Sequence, residues 1–227
     1  MRIRAAATLA SLHALPALAP LVPPLCRVLR IPRTIEGSGV LLTFDDGPHP
    51  EGTPAVLEAL AAAGAPAVFF LTGEQVERWP ALAREIVAAG HEVGLHGYRH
   101  GGLLRLSPRQ VAEDLRRGWE TLAEASGREP RLHRAPYGVY SGSALVLVRK
   151  RGLRPLLWSR WGRDWQARAT PASIAARVTR SLGAGDVLLL HDADHYAAPG
   201  SWRATAAALP AVLDRVAAQG LLPVAHL

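Results

Sequence analysis

Cysteine is nearly absent from this 227-residue chain. Cys26 is the only one, so no intrachain disulfide can form and no cysteine-rich metal site can be built. Lysine is equally scarce: Lys150 stands alone, and arginine carries almost all the cationic charge behind a formal net charge of +7. The arginines form no stripe interleaved with aromatic residues, so the chain lacks the footprint of a nucleic-acid binder and no nucleic-acid partner is expected. A basic surface instead favours an anionic partner, such as a cell-wall polymer or lipid headgroups. No internal repeat, low-complexity segment or interdomain linker divides the chain. With 49% hydrophobic and 20% charged residues, a chain of this length makes one globular domain with a sizeable core.

A long apolar run is also lacking. Arg2 and Arg4 precede the apolar stretches Ala5–Leu12 and Ala14–Val22, but His13, Pro16, Pro20, Pro23 and Pro24 leave pieces too short and irregular for a spanning helix. Ala17-Leu18-Ala19 resembles a signal-peptidase site, with Pro20 directly after the cut. Residues 1–37 are therefore expected to be an N-terminal apolar, proline-rich segment. It is read either as a signal or membrane-associated region, or as a piece packed on the domain or lying on a membrane surface. Residues 38–227 are expected to be the main globular domain.

From about residue 38, strand and helix alternate. Val40–Phe44, Ala67–Leu71, Glu92–Leu95, a stretch near Leu132, Leu153–Trp158, Asp186–Leu190 and Leu221–Val224 read as strands. Between them, Thr53-Pro54 opens a helix with Thr53 as its cap, Pro80–Ala89 stops at Gly90, and Ser107-Pro-Arg-Gln110 is a capping box for a helix ending at Gly127. Further helices are expected over 143–151, from Thr170-Pro171, and over 204–218. Strands separated by helices of this length make parallel βαβ units. About seven such units suit a closed or nearly closed β/α barrel, with a doubly wound sheet as the alternative.

Polar clusters then fall just past several strand ends, where such folds place their sites. Asp45-Asp46 follows the first strand, and two adjacent carboxylates resist burial unless a cation or a mobile proton needs them. His96 and His100 lie four apart in a glycine-rich loop, so two imidazoles and a carboxylate can hold one divalent ion while leaving positions open. If Asp46 is the ligand, Asp45 is placed to accept a proton from water. Arg134 can pair with Asp45 and keep it ionised. His191 can serve as an acid, with Asp164 or Asp192 setting its tautomer. A backbone N–H near Tyr137 can hold an oxyanion, and Trp158, Trp161 and Trp165 offer either core packing or flat faces for sugar rings.

Thr43-Phe-Asp-Asp-Gly47, His96-xxx-His100, Arg134-Ala-Pro-Tyr137, Asp164-Trp165 and Leu189-Leu-His191 together resemble, in order, the five motifs of the polysaccharide deacetylase family, the NodB-homology domain of carbohydrate esterase family 4. The resemblance spans about residues 38 to 225 and implies an α/β fold, a distorted (β/α)7 barrel. It also implies a divalent metal, zinc in most members, with cobalt, manganese or nickel as substitutes. By resemblance Asp45 is the base, Asp46, His96 and His100 are metal ligands, and His191 is the acid. Arg134 orients Asp45, Asp164 supports His191, Leu189 lines an acetyl-methyl pocket, and Tyr137 and Trp165 meet substrate. The implied partner is an acetylated carbohydrate, from which the enzyme removes N-acetyl groups. The alternatives are an O-acetyl esterase acting on xylan and a sugar-binding relative without catalysis. A phosphohydrolase of the His-Asp type rests on His191-Asp192 alone. The resemblance favours an extracytoplasmic or membrane-associated location over a cytoplasmic one, and the oligomeric state is not legible.

The chain departs from the family pattern twice. Gly97 stands where a hydroxyl residue usually braces the metal loop, and Trp161 stands where an Asp usually precedes Asp164-Trp165 by three positions.

Overall fold

The computed structural model describes residues 13–225. The apolar stretch Ala5–Leu12, with Arg2 and Arg4, lies outside the described residues. Seven strands form one parallel sheet: β1 (Leu41–Asp45), β2 (Val68–Leu71), β3 (Glu92–Leu95), β4 (Leu132–His133), β5 (Arg154–Pro155), β6 (Arg160–Trp161) and β7 (Val187–His191). Their order is β5-β4-β3-β2-β1-β7-β6, so β2 is central, β1 lies between β2 and β7, and the two ends of the sheet are consecutive in the chain. Only residues 156–159 separate β5 from β6. A four-residue link cannot cross a flat seven-stranded sheet, so the sheet curls until its ends face each other. The result is a distorted (β/α)7 barrel, as expected, with the gap between its ends bridged by the Leu157 amide donating to the Pro32 carbonyl at 2.9 Å.

Side chains alternate across each strand, and the sequence uses the two faces differently. Leu42, Phe44, Phe69, Leu71, Leu188 and Leu190 point outward into one cluster with Val56, Leu60, Ile86, Ile174 and Val212 of the surrounding helices. Leu41, Val68, Phe70, Leu132 and Val187 point inward and fill the barrel at the strand N-termini. The same inward set continues upward as Thr43, Asp45, Leu189 and His191. The barrel is thus plugged with hydrocarbon below and opens onto polar groups above.

Helix ends follow local chemistry in most places. Ser107 and Gln110 form the reciprocal capping box that opens Pro108–Ser126, and Gly127 closes it at φ +69°. Thr170 and Ser173 do the same for Pro171–Val178. The cap at Thr53 is a correction. The helix begins at Gly52, and His49 Nδ1 accepts from the Gly52 amide at 2.9 Å. Thr53 lies inside the first turn, with its hydroxyl committed to Asp192 at 2.5 Å.

Three strand readings also change. Leu153–Trp158 shrinks to Arg154–Pro155, and β6 was not foreseen, because two residues with no preceding helix leave no period to read. Leu221–Val224 makes only a bridge between Pro223 and Val40, since proline has no amide to extend a ladder. The helix Gly73–Arg78 was likewise unforeseen. Residues 15–31 pack on the barrel, with Ala19, Cys26 and Ile31 buried in a cluster with Leu145 and Val148. Among the described residues, no helix is long and apolar enough to cross a membrane.

Candidate metal centre and active site

Strand register brings the site together. Asp45 of β1 is level with His191 of β7, and Leu95 of β3 with His133 of β4, so His96 and Arg134 leave the sheet side by side. His96 Nδ1 donates to the Arg134 carbonyl at 2.8 Å. A carbonyl can only accept, so this bond puts the proton on Nδ1 and leaves a lone pair on Nε2. That lone pair faces Asp46 Oδ1 at 3.3 Å, and His100 Nε2 faces the same oxygen at 3.2 Å. Asp46 Oδ1 is buried with no hydrogen-bond partner.

Three electron-pair donors converging at this distance repel unless a cation sits among them. Burial lowers the His100 pKa to about 4, against the pull of Asp46, so the imidazole is neutral and its nitrogen is available at pH 7. Burial raises the Asp46 carboxyl, but the surrounding imidazoles of His96, His191 and His100 outweigh that, holding it well below the usual carboxylate range. Asp46, His96 and His100 therefore fit a divalent metal. Asp46 reaches its position at φ +79°, a left-handed conformation costly for a residue with a Cβ.

A second His/Asp grouping, His49, Asp194 and His195, does not fit as well. His49 Nδ1 is an acceptor for backbone amides, so Nε2 carries the proton and donates to Asp194 Oδ1 at 3.2 Å. His195 Nε2 is committed to the Pro48 carbonyl at 3.1 Å.

Asp45 stands beside the metal set without joining it. Its Oδ1 accepts from Arg134 Nη1 at 2.7 Å, while Oδ2 lies 3.8 Å from His96 Nε2. Arg134 is fully buried. Its remaining donors go to the Thr43 hydroxyl at 2.7 Å, the Leu156 carbonyl at 3.1 Å and the Leu157 carbonyl at 3.0 Å. The guanidinium also lies 4.1 Å from the Phe70 ring centroid. Such a guanidinium cannot swing, so it holds the Asp45 carboxylate in one orientation.

Across the pocket, His191 Nδ1 donates to Asp164 Oδ1 at 2.9 Å, and the His191 amide donates to Asp164 Oδ2 at 2.7 Å. Thr205 braces Asp164 from behind at 2.8 Å. Burial alone would lower the His191 pKa, but the Asp164 carboxylate outweighs it and pushes the value up to about 10. Nε2 is left facing the pocket, 4.0 Å from Asp46 Oδ2. Asp164, not Asp192, is thus the partner of His191. Asp192 turns away to Thr53, and burial raises its pKa to about 7. With Asp192 facing away and the paired histidines in a loop, the His-Asp phosphohydrolase reading loses its basis. Removing the Asp164 charge in Asp164→Asn should lower the His191 pKa. The alkaline limb of the rate profile then moves to lower pH, which a kcat/KM titration would show. The same pairing stabilises the fold fully below pH 6.5 and is lost as pH rises through about 10, so the variant's stability should vary less between those limits.

The pocket above these groups holds about 300 Å³, and Leu189, Tyr137, Trp158, Trp161 and Trp165 line it. Leu189 is only 3% exposed, whereas Tyr137 is 62% exposed at the mouth. Tyr196 was not foreseen: it stacks on His100 with ring centroids 4.2 Å apart and 10° between planes. Its hydroxyl donates to Glu74. Thr43 and Thr205 were also missed, although the two-residue period already placed Thr43 on the Asp45 face.

Gly97 does not leave the metal loop slack. It adopts φ +85°, and an added Cβ would meet Asp114 Oδ2 at 3.0 Å. Asp114 accepts from the Tyr98 amide at 2.9 Å and the Arg99 amide at 3.1 Å, between His96 and His100. This carboxylate does the bracing expected of a hydroxyl. Asp114→Ala should weaken metal affinity by about 10- to 100-fold in a chelator competition, with the thermal transition of the metal-free protein shifted little.

The sequence profile of the family described as polysaccharide deacetylase matches residues 33–156. A chitooligosaccharide deacetylase of Bradyrhizobium sp. (strain ANU 289) is 39% identical over 171 residues, covering 74% of this chain and 78% of that protein. A peptidoglycan-N-acetylglucosamine deacetylase of Bacillus cereus is 34% identical over 184 residues, covering 80% and 83%. Among solved structures, a family 4 carbohydrate esterase from Streptomyces lividans in complex with acetate superposes with a TM-score of 0.74 at 33% identity, covering 82% of this chain and 92% of that one.

Proposed function

Because this chain belongs to the polysaccharide deacetylase family, we propose that it hydrolyses the N-acetyl groups of an amino-sugar polymer or oligosaccharide, chitin-like or peptidoglycan, and releases acetate. The observation that carries the proposal is the pairing of two proton carriers across one metal set. Arg134-held Asp45 lies on one side of Asp46, His96 and His100, and Asp164-held His191 lies on the other.

The residues present fit a divalent metal, proposed to be zinc, which when bound supplies a Lewis acid that polarises the acetyl carbonyl and acidifies water. Asp45 Oδ2, the oxygen not taken by Arg134, accepts the proton of the attacking water. Leu189 offers an apolar wall to the acetyl methyl group. The oxyanion of the tetrahedral intermediate is placed near the Tyr137 backbone. His191 Nε2 delivers its proton to the sugar nitrogen as the C–N bond breaks, because an amine leaves only when protonated. Asp164 then compensates the charge change on the imidazole.

The test is acetate release from chitooligosaccharide, peptidoglycan and acetylxylan after metal removal and readdition. Release from the amide substrates that depends on metal is the expected result. No release from any of them at saturating metal would overturn the proposal, and faster release from acetylxylan would redirect it to ester hydrolysis.

Support for an extended substrate comes from Trp161, which is 38% exposed, stacked against Trp158 and 5.3 Å from the Trp165 ring. A flat face beyond the reacting centre contributes binding to a neighbouring sugar and nothing to proton transfer. Trp161→Ala should therefore raise KM for a tetrasaccharide about tenfold with kcat little changed, whereas Trp161→Phe restores most of the loss.

A further inference from the structure

We propose that the end of the barrel opposite the catalytic pocket docks on an anionic lipid bilayer through residues 18–33. The inference rests on the deacetylase reading only for its consequence, that the pocket opens away from the bilayer toward polymer.

The placement follows from the strands. Asp45, His96 and His191 lie at or just past strand C-termini. Arg33 and Thr34 lie at the other end, where Thr34 bridges Asp186, the residue before β7, and Ser159 and Arg160 enter β6. A cleft of about 630 Å³ opens there, lined by Arg27, Arg30, Arg33 and Arg160 together with Pro23 and Ile31. The five-residue strands β1 and β7 span about 16 Å between the two ends.

Charge and exposure select the occupant. Residues 13–35 contain three arginines and no acidic residue. Arg160 is neutralised by Asp186 at 2.9 Å, and Arg33 donates to the Trp158 carbonyl at 2.8 Å. Arg27 and Arg30 make no side-chain hydrogen bond or ion pair with a described residue, so their guanidinium groups are free for phosphate oxygens. Arg149, on the adjoining helix Gly142–Lys150, donates to the carbonyls of Leu29 and Arg30 and adds positive charge. Among the described residues that line the cleft none is acidic, and Asp186, which reaches it through Arg160, is already paired.

Val28, in sequence between the free arginines, is 78% exposed, and on the same segment Leu21 is 79% and Val22 42% exposed. Single aliphatic tips set among arginines and prolines, on a backbone itself anchored by buried Ala19, Cys26 and Ile31, match the shallow insertion and headgroup pairing of an interfacial element.

The experiment is cosedimentation of the full chain with vesicles of phosphatidylcholine alone or with added phosphatidylglycerol. Binding to the anionic vesicles that weakens with salt is expected. Loss of both free charges in R27Q/R30Q should weaken it on the order of 25-fold, from about fivefold per basic residue. Leu21→Ser with Val28→Ser should weaken it at high salt as well. These side chains are exposed, so the metal-dependent release of acetate from soluble oligosaccharide should not change in either variant. Wild-type binding in both variants would overturn the proposal and assign any membrane affinity elsewhere in the chain. Equal binding to neutral vesicles would overturn the anionic selectivity. A change in sedimentation-derived mass in L21S/V28S, with vesicle binding intact, would overturn it in favour of contact with a second copy.

Discussion

Asp45→Asn lowers the turnover for acetate release by about 10²–10⁴-fold while the protein still binds its full complement of metal. The expectation follows from the division of labour between two adjacent carboxylates. Asp46 Oδ1 is the oxygen that both His96 and His100 face, whereas Asp45 Oδ1 is taken by Arg134. An amide at position 45 keeps the shape and can still accept from Arg134, but it cannot take a proton from water. Steady-state kinetics at saturating metal, with metal content measured by elemental analysis, separate the two roles. Loss of metal in the variant would show that Asp45 is a ligand, and near-normal turnover would show that the base lies elsewhere. His96→Ala supplies the contrast, since it should lose metal and activity together.

Arg134→Leu destabilises the protein by about 3–5 kcal/mol, because it strands a buried carboxylate. Four acceptors lose their donor at once: Asp45, Thr43 and the carbonyls of Leu156 and Leu157. The last two lie in the link between the ends of the sheet, so the guanidinium also ties the barrel closed across its gap. A leucine fills much of the volume beside Phe70 but satisfies none of those oxygens. At roughly 2–4 °C per kcal/mol for a chain of this size, thermal unfolding should move down by about 6–20 °C. Because Asp45 loses its counter-ion, activity should fall as well, and Arg134→Lys should recover stability only in part. A lysine cannot reach four acceptors in one plane. An unchanged melting temperature in Arg134→Leu would mean that water replaces the guanidinium and that the link is held by other contacts.

Much of this site was legible in one dimension. Asp45-Asp46 declared itself by being unaffordable in a buried strand end, and His96 and His100 by a spacing that suits one ion in a glycine-rich loop. His191 and Leu189 fell at the end of a strand whose apolar run was clear, whereas Arg134 follows the two-residue β4 and Asp164 the unforeseen β6. The pairing of His191 was legible only through the family resemblance, since the residues alone left Asp164 and Asp192 open, and the bond to Asp164 with the turn of Asp192 toward Thr53 decides between them. Tyr196 and Asp114 left no signal, because each acts from a helix or loop distant in sequence from the residue it supports. Strand β6 escaped for a different reason: it is a strand only because its neighbour β7 pairs with it.

The order of apolar runs, caps and turn residues by itself determined that this chain makes parallel β/α units with charged groups gathered at one end, since both depend on near neighbours along the backbone. Which oxygen of which carboxylate meets a metal, which histidine nitrogen keeps its lone pair, and how Asp114 replaces a missing hydroxyl were decided only in the folded chain. Those outcomes rest on strand register and on distances of about 3 Å between residues dozens of positions apart, and no local pattern carries that information.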